Sequence, residues 1–334
     1  MRSVVGIGNP LMDFIMHSDF SMVERFTQNR GTMHLVEREL VDSILEKNPG
    51  ALEIPGGSCA NTLRGVAWCL ENDTGNELPA YIGAVGRDAK GDSFHEMLLA
   101  NGVEPFLARK ETPTGVSGIL VTPDHERTMF TYLGACRELN ITDLESSLVC
   151  GAEYLYMAGF MWDTENQKQA AMKSIVEAGN AGVKIAFDLA DPFVVCRYED
   201  DLKEWLPGHL DVLFANREEL AMMTGFGFES PAKHEVILEA AAYLADIVVM
   251  KIGAEGCMIL HQGDVIAVPG EKVDPLDTTG AGDSFAGGFL YGLLTEESLY
   301  RCGAIANKLA SRIVTVEGCN YNALDASFRK SLSD

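Results

Sequence analysis

The run Asp277-Thr278-Thr279-Gly280-Ala281-Gly282-Asp283 is the densest chemistry in the chain. Phe285, Phe289 and Leu293 follow at i, i+4, i+8 spacing, so the run opens a helix. Glycines at a helix start let a ligand approach bare backbone. The unsatisfied N–H groups and the positive end of the helix dipole then favour an anion. Asp283 fits that cradle badly. A first-turn carboxylate stabilises a helix, but beside a phosphate it repels. A base that receives a hydroxyl proton would explain its placement.

A second turn, Pro55-Gly56-Gly57-Ser58-Cys59-Ala60-Asn61, also opens a helix. Gly57 could bring backbone against a substrate, and Asn61 offers a donor and an acceptor to sugar hydroxyls. A tight turn with a helix-facing Asn reads equally well. Asn9-Pro10-Leu11-Met12-Asp13 puts polar side chains at a strand end, where open α/β sheets bind ligands. The Gly6-Ile7-Gly8 start is no dinucleotide fingerprint, because Leu11 stands where the third glycine belongs. The chain contains no P-loop, no His-Glu-x-x-His and no Gly-x-Ser-x-Gly.

The elements that hold these turns can be read from periodicity. Apolar runs at Val4–Ile7, Ala80–Val85, Tyr154–Met157, Lys184–Phe187, Val212–Phe214 and Ile247–Lys251 predict strands. Helical faces lie between many of them: Ala60, Leu63, Ala67 and Leu70; Ala171 and Ile175; Ala240, Ala241 and Leu244. Such alternation predicts an α/β fold with a mostly parallel sheet. Two strand pairs lack helices: Asp13–Ser18 with Thr32–Glu37, and Gly115–Val121 with Thr128–Tyr132 around the turn at Thr122-Pro123-Asp124-His125-Glu126. They predict a small β-strand lid, from about 13–37 and 115–132, on a single domain spanning 1–334.

Lys and Arg number 26 against 49 Asp and Glu, a formal charge of −23. That excess argues against nucleic-acid or anionic-membrane partners. Eight cysteines without a Cys-x-x-Cys pair read as buried free thiols of a reducing compartment. The N-terminus lacks the apolar stretch of a signal peptide, so the expected location is cytoplasmic.

Together the turns resemble the PfkB (ribokinase-like) carbohydrate and nucleoside kinase family. The glycine pair with Asn61, Gly83-Ala84-Val85-Gly86-Arg87-Asp88, Asn216-Arg217-Glu218-Glu219 and the terminal DTTGAGD occur in that family's order, from about Val4 to Gly318. The resemblance implies a ribokinase-like αβα sandwich with a small inserted β-strand lid. It implies an ATP-dependent kinase with Asp283 as base, and Gly280, Ala281 and Gly282 as anion hole. At an ordinary aspartate pKa near ~3.9 that base would be weak, leaving positioning to supply most of the catalysis.

Asn216 and Glu219 match the family's Asn-x-x-Glu, which organises Mg²⁺ and its waters; the same spacing also makes a helix capping box. Lys251, Gly253 and Gly256 resemble a nucleotide-side loop, with Asn307 bordering the adenine. Arg127 resembles a lid arginine that reaches the transferred phosphate, though a solvated turn arginine fits too. Asp277, Thr279 and Gly318 fall where some members hold a monovalent cation such as K⁺.

Within the family the chain looks most like the adenosine kinase branch. Asp13 would then bind ribose hydroxyls, with Asn9, Gly57 and Asn61 around it, and Leu11, Leu133 and Phe160 would form a slot for a base. Met161 departs from the stacking aromatic of that branch, and Arg137 could meet a more polar substrate. A sugar kinase for ribose, fructose or a related acceptor is therefore an alternative; a catalytically silent nucleoside- or sugar-binding sensor is another. The expected partner is a small nucleoside or sugar, and the expected assembly a monomer or homodimer.

Overall fold

Fourteen strands form two sheets in the computed structural model, which describes residues 2–71, 78–124 and 126–332. His125 of the lid turn and the extreme ends of the chain, Met1 and 333–334, lie outside the described residues. In chain order the strands are β1 (Arg2–Ile7), β2 (Leu11–His17), β3 (Met33–Leu35), β4 (Leu52–Gly56), β5 (Ala80–Gly86), β6 (Glu104–Lys110) and β7 (Gly115–Val121). They continue as β8 (Arg127–Tyr132), β9 (Ala152–Ala158), β10 (Lys184–Asp188), β11 (Val212–Asn216), β12 (Ile247–Lys251), β13 (Gly256–His261) and β14 (Asp264–Pro269).

Nine strands make the large sheet, in the order β14-β13-β12-β11-β10-β9-β1-β5-β6. From β12 to β6 every pairing is parallel; β13 and β14 add an antiparallel edge. Alternate residues of the inner strands enter two cores. Val4 and Tyr156 pack with the Ser58–Leu70, Ala281–Leu294 and Leu299–Ile313 helices, while Val5, Ile7, Leu155 and Met157 face the Glu165–Ala181 side. Helices on both faces explain why the strands read as continuous apolar runs. The fold is the ribokinase-like α/β arrangement expected from the sequence.

Five strands make the smaller sheet, in the order β3-β8-β7-β2-β4. It stands over the C-terminal ends of the parallel strands, because β1 runs through Gly8-Asn9-Pro10 directly into β2. It includes β4, which the sequence reading takes only as the approach to a glycine turn: Leu11 to Ile15 pair with Gly56 to Leu52. Two further details differ from the sequence reading. Ala240 ends its helix exposed, and Ala241 and Leu244 enter the core from the turns beyond it. Cys150 and Cys196 are exposed, whereas the other six cysteines are buried, and all eight are free. Among the described residues no helix is long and apolar enough to cross a membrane.

Candidate active site

Asp283 lies in the first turn of the Ala281–Leu294 helix, facing the first turn of the Ser58–Leu70 helix. Its Oδ1 accepts from the Ser58 hydroxyl at 2.7 Å and its Oδ2 from Asn61 Nδ2 at 2.9 Å. Burial pushes its pKa above the ordinary aspartate value, with the Ser58 and Asn61 hydrogen bonds pulling the other way. The carboxylate is thus a stronger base than the ordinary pKa of the sequence reading suggests.

Gly280 caps this helix at φ +71°, and a Cβ there would lie 2.5 Å from Cys319 Sγ. Both conditions demand glycine. The first helical hydrogen bond runs from the Ser284 amide to the Gly280 carbonyl, so the Gly282 and Asp283 amides precede it without an intrahelical acceptor. Donors held in that way suit an anion.

One side of Asp283 is the acceptor side. A Cβ on Gly56 would fall 2.2 Å from the Asp13 carboxylate, and Gly57, at φ +90°, leaves room for the Asn9 carbonyl. The glycine pair therefore lets β4 and the Asn9–Asp13 stretch close on one another. Asp13 is buried, and none of the described residues donates a hydrogen bond to it. Burial raises its pKa to about 7; Arg64 counteracts this, and the nearby Asp283 adds to it.

Asn9 Oδ1 accepts from Gln167 Nε2 at 2.5 Å. Leu11 and Leu133 come together around Gly115, where a Cβ would touch both. Phe160 sits half-buried just past β9, its ring without an aromatic or cationic partner among the described residues. Met161 is buried in the core on the Glu165–Ala181 side of the sheet, and Arg137 lies 3.2 Å from Asp163.

The other side is a cavity of about 640 Å³. Lys251, Gly253, Gly256 and Asn307 line it together with Gly282, and Phe285, Pro275 and Val314 supply apolar wall. Asn307 donates to the Val268 and Pro269 carbonyls, which fixes its amide at the cavity edge. Lys251 Nζ points to the helix start, 3.4 Å from where a Cβ of Gly282 would be. It pairs with both Asp188 oxygens at 3.0 and 2.8 Å.

Asn216 and Glu219 form a complete capping box. Glu219 Oε2 accepts from the Asn216 amide at 2.7 Å, Oε1 from Asn216 Nδ2 at 2.8 Å, and the Glu219 amide donates to Asn216 Oδ1. Burial raises the Glu219 pKa well above the carboxylate range against the pull of Lys251. Asp188, Glu219 and Asp283 all act on the single ammonium of Lys251. Among the described residues no cluster of three or more His, Cys, Asp or Glu is placed to hold a metal ion directly.

Arg127, on β8, reaches down from the small sheet to the turn. It donates to Thr279 and Thr278, and its Nε lies 3.1 Å from Asp277 Oδ1. Asp277 is also held by Thr279 and by the Gly318 amide.

Three positioning groups were absent from the sequence reading. Arg64 is fully buried and donates to the Pro55 carbonyl at 2.7 Å, Asn61 Oδ1 at 3.1 Å and the Cys319 carbonyl at 2.8 Å. By occupying Asn61 Oδ1 it turns the Asn61 amide nitrogen toward Asp283. Gln167 orients Asn9, and Asp188 anchors Lys251. Arg64 and Gln167 lie within helices with no turn to mark them, and Asp188 ends β10 at the turn to Ala190.

A profile described as pfkB family carbohydrate kinase matches residues 34–326. An adenosine kinase of Dictyostelium discoideum is 26% identical, the match covering 95% of each chain. The crystal structure of adenosine kinase from Sinorhizobium meliloti superposes with a TM-score of 0.88 at 30% identity, covering 99% of this chain and 98% of that one. A protein of Rhizobium etli described as a probable sugar kinase does so with a TM-score of 0.89 at 31% identity and the same coverage.

Proposed function

The chain belongs to the pfkB family of carbohydrate kinases, and on that premise we propose that it transfers the γ-phosphoryl group of ATP to the 5′-hydroxyl of adenosine. The observation that carries the reading is the place of Asp283, which lies between the buried Asp13 of the acceptor side and the Lys251 of the cavity and is electrostatically coupled to both. The acceptor hydroxyl donates its proton to Asp283 as its oxygen attacks the γ-phosphorus. The Gly282 and Asp283 amides and the Lys251 ammonium face the charge on the transferring group. ADP leaves into the cavity lined by Gly253, Gly256 and Asn307.

Mg²⁺ bound with the nucleotide would neutralise phosphate charge, and Asp188 and Glu219 would orient its waters. Glu219→Gln is expected to raise the Mg²⁺ concentration for half-maximal rate by about 10-fold, as loss of an outer-sphere carboxylate does. A Mg²⁺ titration of both proteins measures it; superimposable curves would reduce Asn216 and Glu219 to a helix cap.

On the acceptor side, Asp13 would accept from two ribose hydroxyls, and Leu11, Leu133 and Phe160 would cover the base. About 100 Å² of base removed from water is worth roughly 2.5 kcal/mol, or about 70-fold in kcat/KM. Adenosine is thus expected to exceed ribose and fructose by that order under one set of conditions, and Phe160→Ala should cost adenosine more than ribose. The similarity to the Rhizobium etli protein favours a second reading, a free-sugar acceptor. Ribose or fructose ahead of adenosine in coupled ADP-release assays would select it.

A further inference from the structure

Asp277 is buried, and its charge is already matched. Oδ1 accepts from the Thr279 amide at 2.8 Å and the Thr279 hydroxyl at 2.6 Å, and lies 3.1 Å from Arg127 Nε. Oδ2 accepts from the Gly318 amide at 2.8 Å. The two other Arg127 nitrogens donate to the Thr279 and Thr278 hydroxyls.

Nearby carbonyls are occupied too. Val314 O accepts from the Leu276 and Asp277 amides, Gly318 O from the Asn320 amide, and Cys319 O from Arg64. A hard monovalent ion is held by oxygen lone pairs, with a carboxylate as the charged ligand. Here each of these oxygens already faces at least one N–H or O–H donor. With Arg127 in place the donor set therefore fits a planar guanidinium and leaves the carboxylate no charge to share with a free cation; without it, Asp277 and the Thr278 and Thr279 hydroxyls lose their cationic partner.

We propose that Arg127, carried on the small sheet, takes the place of a monovalent cation beneath the 280–283 turn. The positive charge at the base of the turn then comes from the chain itself, on a side chain of the small sheet. The proposal rests on the reading of that turn as a phosphoryl site. Its consequence is that neither fold stability nor turnover depends on K⁺, and that removing the guanidinium creates such a dependence.

The test compares KCl, NaCl, CsCl and choline chloride at one ionic strength. Wild-type protein is expected to keep its Tm within about 1 °C across the four salts. Its rate should stay within about 2-fold, because no ion completes the site. Arg127→Met should lose roughly 100-fold in kcat in choline, because the cation that backs the anion-binding turn and holds its donors in place is gone. It should regain at least ~5-fold with K⁺ or with ~10 mM guanidinium, and its Tm should climb with the same ion. Arg127→Lys, which keeps a charge on the lid, should stay indifferent to K⁺.

A wild-type protein stimulated several-fold or stabilised by several degrees by K⁺ would overturn the proposal. So would an Arg127→Met protein that gains nothing from any cation. Should that variant not fold, the wild-type and Arg127→Lys titrations decide. If the wild type phosphorylated no acceptor at all, the kinase reading would fail, while the Tm titrations would still judge this one.

Discussion

Asp283→Asn is expected to bind nucleotide and acceptor nearly as well as the wild type and to turn over at least ~10³-fold more slowly. The two side chains have the same shape, so what changes is proton affinity and one hydrogen-bond polarity. Asn61 cannot flip to accommodate the new amide, because Arg64 holds its oxygen. The asparagine must therefore present its oxygen to Asn61 Nδ2 and its nitrogen to Ser58, whose hydroxyl can rotate and accept. Local structure survives on those terms. Removing a carboxylate whose ionisation burial already disfavours should not lower stability. Calorimetric affinities within about 3-fold of wild type, with kcat reduced as stated, would place the loss in the chemical step. A variant retaining more than a tenth of wild-type kcat would remove Asp283 from the role of base.

Asp13→Asn should make the unliganded protein more stable at pH 8 and at the same time nearly disable it. Burial pushes the carboxyl pKa up to about 7 in the folded chain, against an ordinary value of 3.8 when exposed. Between those values the folded state holds a proton that the unfolded state has released. Stability therefore falls as pH rises through that window and stays low above it. The whole displacement is worth up to about 4 kcal/mol at 1.36 kcal/mol per pH unit. An asparagine abolishes the charge but still needs hydrogen bonds in a site that offers no donor, which returns about 1–2 kcal/mol of the gain.

The expected outcome is a Tm above that of the wild type at pH 8, with the difference shrinking toward pH 5. For catalysis, the ionised carboxylate accepts from two hydroxyls and the protonated form from fewer. KM for a ribosyl acceptor should therefore climb as pH drops below about 7, and the asparagine variant should lose about 100-fold in kcat/KM, some 2.7 kcal/mol. A variant less stable than wild type at pH 8 would mean that the carboxylate has a partner in the fold.

The features legible in the sequence were those whose cause is local. The 277–283 run and the 55–61 turn announce themselves because glycine is required within a few residues of the chemistry. The capping box of Asn216 and Glu219 follows from a spacing of three. Features created by distant pairing were not legible. β4 carries Pro55 and Gly56, which locally signal a turn, and becomes a strand only because β2 supplies a partner. The β13–β14 hairpin extends the sheet past its last parallel strand without any helical alternation to predict it. Arg64 carries no local signal, because its importance lies in carbonyls at 55 and 319. Asp277 reads locally as an ion ligand, and the nearness of Arg127, 3.1 Å from its Oδ1, could not be read there because the two are 150 positions apart in sequence.

The hydrogen bonds that hold Asp283 have a consequence for how the protein is born. Ser58 and Asn61 are separated from it by 225 and 222 residues, and Arg64 waits for Cys319 across 255. A ribosome adding about 5–20 residues per second releases the acceptor-side residues some 10–45 s before the turn that reads them. Through that interval Asp13 lies near a helix whose Asn61 has no carboxylate to orient. The nascent chain can build much of its parallel sheet while remaining chemically inert. Its reactive centre is closed by about the last sixth of the chain, from Asp283 onward, so a product truncated before Cys319 would lack the Arg64 anchor and would not pass for a finished enzyme.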